Sequence, residues 1–470
     1  MSALLIGILL IQTVGCATEK TEVASQETNK VESEEIQTME AEEANALSFD
    51  AIGGDDVMPI VGFYGPTPPS YSYNGNNAPD YFSDEIFELI AGTGINMIGY
   101  SNTEYTTAPG YVYKLLEQGE KYGIGIVVKD NRVSEADDLT TMEAMDSYVN
   151  DYSNYPAYVG NHIVDEPCTV EYNGEDFGRP VSKYGPVYDR VNELGIFGYS
   201  NLHIMLDKEK YIDYVDEWMK TTNPPMLSFD NYFYDGNLGL DKAPRFLSQL
   251  SVIRSAAEEA GIPFWAYVQA GSQWNDNLTY FDSDGYYPSR GEMKWNVGAL
   301  LAYGAKGISY FPLIQPYYFA YAQTEPFDFQ RNGLIGAWGN KTRWYYFAQE
   351  INKQVAAVDH VLMHSVNKGL IASGEEAKED LYEDPYLMKG TSWRELKDVS
   401  GDAMIGCFNY QGKTALYVLN YDIKYAQKIT LDFQDTYDIT VIQNAEEKNW
   451  SCDSLELTFA AGDSALIVFE

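Results

Sequence analysis

Two adjacent carboxylates, Asp165 and Glu166, close the run Tyr158-Val159-Gly160-Asn161-His162-Ile163-Val164 and are followed at once by Pro167. Such a short apolar run reads as a strand buried on both faces, and a proline cannot continue its ladder, so the two acids stand at the strand's C-terminal lip. Carboxylates held there can act as general acid and general base, provided that burial or a neighbouring charge keeps one of them protonated. Side chains alternate along a regular strand, so with Glu166 facing the site Asp165 is expected to point the other way, as an orienting or structural acid. Asp230, which ends the run 225–230 just before Asn231-Tyr232, is the next candidate. Glu104, Asp130 and Asp276 follow other strand-like runs and are expected to hydrogen-bond a substrate or to sit in solvated loops. Tyr64, Tyr105, Tyr232, Gln269 and Trp274 lie at or just past strand ends and are expected to line a cleft. Arg290 and Glu292 are expected to tie one helix to its neighbour.

Side chains from so many strand ends meet only if the fold gathers those ends on one face. The sequence alternates accordingly. Strand-like runs at 60–64, 95–100, 124–128, 158–164, 200–206, 225–230, 262–269 and 307–311 are interleaved with helical patterns at 81–91, 111–122, 140–152, 184–194, 211–220, 244–260 and 291–303. Gly123, Gly195 and Gly261 stand where left-handed helix caps are expected. Eight such units in about 300 residues fit a (β/α)8 TIM barrel, whose chemistry sits at the C-terminal ends of its strands. A closing helix is expected at 341–360. Beyond it, alternating runs such as 403–408, 414–420 and 465–469 are separated by turns, the pattern of a small antiparallel β-sandwich. The expected domains are therefore 57–362 for the barrel and 363–470 for the sandwich.

Residues 2–14 form a nearly unbroken apolar run, short for a membrane span and suited to a signal-peptide core. Thr13-Val14-Gly15-Cys16 resembles a bacterial lipobox, with Thr13 in place of the usual Leu, which implies a signal at 1–16 and lipidation of Cys16. Residues 17–56, rich in Glu, Thr, Ser, Gln and Asn, read as a disordered acidic linker. The formal charge is −39, from 31 Lys and Arg against 70 Asp and Glu. That balance argues against nucleic acid and against electrostatic docking on anionic lipid, leaving an N-terminal lipid anchor as the expected membrane contact. Cys16, Cys168, Cys407 and Cys452 are too scattered for a paired metal motif, although Cys407 and Cys452 could bridge or remain free thiols. HExxH, Walker and GxGxxG signatures are absent, so neither metal nor cofactor is expected.

The stretches His162-Ile163-Val164-Asp165-Glu166-Pro167, Pro263-Phe264-Trp265-Ala266-Tyr267-Val268-Gln269 and Ala302-Tyr303-Gly304-Ala305-Lys306-Gly307-Ile308-Ser309-Tyr310-Phe311 resemble bacterial barrel glycoside hydrolases of the clan-A type and their uncharacterised relatives. The resemblance implies a carbohydrate substrate, extracellular oligo- or polysaccharides, and a protein at the outer face of the cell membrane or secreted. It makes Glu166 the general acid/base, with Asp165 where the family usually has Asn. The family's second catalytic Glu, at the end of strand seven, is replaced by Gln269, so another carboxylate, first of all Asp230, must serve. Adjacent acids after strand four also occur in hexosaminidase-like barrels, in which Asp165 would orient a substrate N-acetyl group acting as the nucleophile. Gln269 also suits a non-catalytic carbohydrate-binding lipoprotein, whereas a polysaccharide lyase fits the acidic chain less well.

Overall fold

A computed structural model describes residues 42–69, 79–168, 179–234, 243–271, 288–315 and 333–470. Trp274, Asp276 and Cys16 fall outside them. In order, β1 (Ile60–Phe63), α1 (Asp84–Gly92), β2 (Met97–Tyr100), α2 (Pro109–Tyr122), β3 (Gly125–Lys129), the short α3 (Asn131–Ser134), α4 (Leu139–Val149) and β4 (Tyr158–Asp165) build the first half. The second half is α5 (Gly185–Glu193), β5 (Phe197–Asn201), α6 (Lys208–Thr222), β6 (Leu227–Phe229), α7 (Ala243–Ala260), β7 (Phe264–Gln269), α8 (Arg290–Ala302) and β8 (Ile308–Phe311), and α9 (Arg343–Leu362) follows. The helices form for legible reasons. In α2, Pro109 occupies the first turn, Val112, Leu115, Leu116 and Gly119 make the buried stripe, and Gly123 ends it at φ +66°.

The eight strands form one parallel sheet in the order β5-β4-β3-β2-β1-β8-β7-β6. The ring closes where Leu202 bridges Phe229 and its N–H donates to Ser228 O at 2.8 Å. The expected TIM barrel is therefore present. Strand five lies earlier than the expected 200–206: after Leu202 the chain leaves the sheet, and Leu206 is 72% exposed. The apolar run that suggested the later position is a loop with one side in water.

Along β7, Trp265 and Tyr267 belong to the cluster inside the barrel with Val61, Phe63, Tyr199 and Phe311, whereas Phe264, Ala266 and Val268 pack outward against helices. The inner cluster extends to Phe49, with Leu47 and Ile52 packed on it, and Phe49 meets Phe197 edge-on at 5.0 Å. Ordered packing thus begins before Val57. Residues 47–52 lie across the starts of β3 and β5, closing the end of the barrel opposite the acids.

The C-terminal strands β9 (Ser365–Ser373), β10 (Leu396–Ser400), β11 (Ala403–Tyr410), β12 (Lys413–Asn420), β13 (Gln427–Gln443), β14 (Glu446–Phe459) and β15 (Ser464–Phe469) form a seven-stranded antiparallel sheet, with α10 (Glu376–Asp380) between β9 and β10. The long β13 pairs on one side with β10 along its first half and β15 along its second, and on the other with β14, where the register shifts between Asp432 and Tyr437. A separate core of Ile405, Leu416, Val418, Leu431, Ile467 and their neighbours fills this region, as expected of a sandwich. Cys407 and Cys452 do not bridge; both are free, as is Cys168.

The barrel and the sheet share α8, which is buried from Gly291 to Ala302. Gly462 turns at φ +63° so close to this helix that a Cβ would lie 2.1 Å from Gly291 O, which only glycine tolerates. Lys294 of α8 crosses this junction to Asp463 at 3.2 Å and Glu350 of α9 at 2.8 Å. Arg290 also reaches Glu350, at 2.6 Å, linking the helices as expected, whereas Glu292 caps its own helix by accepting from Ser289 N at 2.7 Å.

Candidate active site

The lip of β4 departs from regular alternation. Its pairing with β5 runs His162 to Tyr199 and then Val164 to Ser200, skipping Ile163, and both Ile163 and Val164 pack outward. His162 touches the inner rings of Phe63, Tyr100 and Tyr199. The extra residue reverses the phase of the strand, so Asp165 turns inward, which corrects the expectation that it points away. Glu166 follows at φ +52°, an unusual value for a non-glycine residue, held by its N–H donating to Asn201 O at 2.8 Å. Next to it, the Tyr214 hydroxyl donates to Pro167 O and accepts from His203 N, locking the ends of β4 and β5 together.

Asp230 enters from the end of β6 and is buried. Asn201 Nδ2 lies 3.1 Å from Asp230 Oδ1 and 3.5 Å from Asp165 Oδ1, so the two aspartates sit within two hydrogen-bond lengths of each other. His203 Nδ1 is 3.4 Å from Glu166 Oε1, and the Arg179 guanidinium donates to Asp165 O. Three carboxylates, two of them contiguous, therefore meet at the lip.

Their environments separate them. Withdrawal from water, reinforced by the Glu166 charge, pushes Asp165 up to about 7. The same two causes, joined by the Asp165 charge, carry Asp230 well above the carboxylate range. Burial acts on Glu166 in the same sense, but the His203 hydrogen bond and the charges of His203 and Arg179 outweigh it and hold Glu166 below its ordinary value. An acid at Glu166 would need its titration raised, whereas these surroundings raise the two aspartates and lower Glu166.

An aromatic wall adjoins the acids. Tyr232 stacks on Phe311 at 5.2 Å, and Tyr64 lies 5.7 Å from the same ring and 5.6 Å from Tyr100. Lys129 donates to the Tyr100 hydroxyl at 3.1 Å. Gln269 faces the interior by the alternation of β7, and its Nε2 donates to Tyr234 O at 3.1 Å and Gly271 O at 3.3 Å.

Three other residues expected at the site have structural partners. Glu104 accepts from Thr106 N, Thr106 Oγ1, Thr107 N and Asn131 N, pinning its own loop to α3. Asp130 caps α3, pairs with Arg132 at 2.7 Å and accepts from Tyr152. Tyr105 bonds Tyr113 at 2.6 Å beneath the Arg132 guanidinium, in the outer layer. Sequence reasoning missed Asn201, His203, Arg179, Tyr214 and Lys129; Ser200-Asn201, polar residues ending a strand beside another acid-bearing strand, was the available signal.

His162 supplies a pH test. Its Nε2 is buried without a partner among the described residues, and burial, aided by the Lys129 charge, pushes the ring down to about 3. An unfolded histidine takes up a proton below about 6.5. The stability contributed by neutral His162 is therefore complete above that pH and is lost as pH falls toward 3. His162→Leu is expected to flatten the acid-side decline of melting temperature across that window relative to wild type. An unchanged slope would mean that the ring protonates freely in the fold.

No protein-family model matches the chain, and no curated protein sequence matches it. Among solved structures it is similar to a catalytic mutant of a GH42 β-galactosidase from G. stearothermophilus, at 10% identity over 90% of this chain and 99% of that one, with a TM-score of 0.51. A GH30 endoxylanase from Clostridium papyrosolvens C71 is similar at 11% identity over 91% and 98%, TM-score 0.45, and an α-L-arabinofuranosidase from Thermotoga maritima at 10% over 91% and 98%, TM-score 0.47. At this identity the likeness to the β-galactosidase establishes a shared fold.

Proposed function

We propose that this protein is a glycoside hydrolase. The observation that carries the reading is the gathering of three carboxylates, Asp165, Glu166 and Asp230, at the C-terminal lip of a TIM barrel, with Asn201 between the two aspartates and His203 beside Glu166, surroundings that push the aspartates up and hold Glu166 down. Cleaving a glycosidic bond needs both states at once: one group gives a proton to the leaving oxygen while another attacks the anomeric carbon or takes a proton from water. In this reading Asp230 supplies the proton and Glu166, the more accessible group, acts as base or nucleophile. Tyr64 and Tyr232 supply faces for sugar rings. Action outside the cell on oligo- or polysaccharides rests on residues 1–16 and is part of the proposal.

One observation favours a second mechanism. With Asp165 turned inward beside Glu166 and an amide at Gln269, the pair suits a substrate whose own N-acetyl group is the nucleophile, with Asp165 orienting it. A panel of aryl glycosides including N-acetylhexosaminides separates the two. Under the first mechanism Asp230→Asn is expected to lose at least about a hundredfold in kcat on members with poor leaving groups, the scale of a removed acid, and to spare those whose leaving group needs little protonation. Turnover confined to N-acetylated sugars, with Asp165→Asn at least as damaging as Asp230→Asn, would select the second. Sugar binding with no turnover on any member would replace both by a carbohydrate-capturing protein.

A further inference from the structure

We infer that Asn201 is the positioning residue of this site, a single amide that fixes which oxygen of Asp165 and of Asp230 carries the acidic proton; the inference rests on the hydrolase reading above. Asn201 ends β5 and is 2% exposed. Its backbone carbonyl accepts from Glu166 N, and its Nδ2 donates to Oδ1 of Asp165 and of Asp230. An amide nitrogen has two hydrogens, so both bonds form together, and one residue touches all three acids.

The amide is held in this orientation from below. Ser228 Oγ donates to Asn201 Oδ1 at 3.1 Å, lies 3.5 Å from the Tyr199 hydroxyl, and Tyr199 in turn bonds Tyr267 at 2.8 Å. A flipped amide would turn its oxygen toward the aspartates and surrender the Ser228 bond. A carboxyl oxygen that accepts an N–H is the one left without the proton, so in each aspartate the proton resides on Oδ2. Asn201 thereby ensures that the acid presents its O–H on the side away from β5, whichever aspartate is protonated.

Other charges act on the same groups. Asp165 faces Glu166, Lys129 and Arg179 at the lip and the phenols of Tyr199 and Tyr267 beneath it. Asp230 faces the two other acids and the phenols of Tyr211, Tyr214 and Tyr232. These remain in place when Asn201 is changed, so a shift seen on its removal reports the lost donor.

The test uses the full chain labelled with carboxyl-13C aspartate, in wild type, Asn201→Ala and Ser228→Ala, with melting temperature as the check on folding. Asn201→Ala is expected to raise the apparent titration midpoints of both high-titrating aspartates. It should also lower kcat on the best glycoside by about threefold to tenfold, the loss of an ordinary hydrogen bond, with KM nearly unchanged. Ser228→Ala should shift the same midpoints in the same direction by less, and it carries the test alone if Asn201→Ala does not fold. Unmoved midpoints in the folded variants would overturn the inference even if glycosides are cleaved. Shifted midpoints in the variants, with no glycoside cleaved by wild type, would retain Asn201 as the organiser of the acids and remove the hydrolase reading instead.

Discussion

Glu166→Gln is expected to lower kcat/KM on the best glycoside by at least about a hundredfold while leaving the fold intact. Gln preserves the shape of the side chain and can still approach His203, and the unusual backbone of Glu166 is held by a main-chain bond to Asn201 that the substitution does not touch. The loss is therefore chemical. Its dependence on leaving group identifies the role. Were Glu166 the acid, aryl glycosides with good leaving groups would be largely spared, because they need little protonation. As base or nucleophile its removal should cost good and poor leaving groups alike. A second signature follows from charge: Glu166 raises both aspartates, so in Glu166→Gln their midpoints should move down. Activity within a few fold of wild type on every substrate would remove Glu166 from the chemistry.

The largest expected effect on stability is at the junction. Lys294 and Asp463 are each 3% exposed at their side chains, and Lys294→Met leaves the Asp463 carboxylate buried without its cation. Breaking one side of such a pair typically costs about 3–5 kcal/mol, whereas replacing both sides with uncharged groups of similar size is often near neutral. Denaturant unfolding should therefore show a large loss for Lys294→Met and substantial recovery in Lys294→Met/Asp463→Asn. Glu350, which keeps Arg290, is not orphaned by the change. Equal stabilities of single variant and wild type would show that water reaches Asp463 and that the ion pair is not what joins the two units.

The comparison of sequence with structure divides by range. Eight strand and helix units were legible because each is announced by its own periodicity and terminators, and the same holds for Gly123 and the late β-rich region. Strand five was misplaced because a half-exposed loop, residues 202–206, happens to be apolar. Asp165 was assigned the wrong side because the bulge at Ile163 arises from how β4 pairs with β5, which no single-strand pattern records. Glu104 and Asp130 are taken up by local partners that stood close by in sequence, Thr106-Thr107 and Arg132. Asn201, His203 and Arg179 were missed for the opposite reason: their importance lies in reaching across to acids 14 to 37 residues away.

The segment at 47–52 gives the molecule a front and a back. The chain enters at the strand starts, while Asp165, Glu166 and Asp230 open at the opposite end. A tag fused ahead of residue 42 therefore joins the folded body at the end away from the acids. The same polarity makes the N-terminus the end by which to immobilise it on a support.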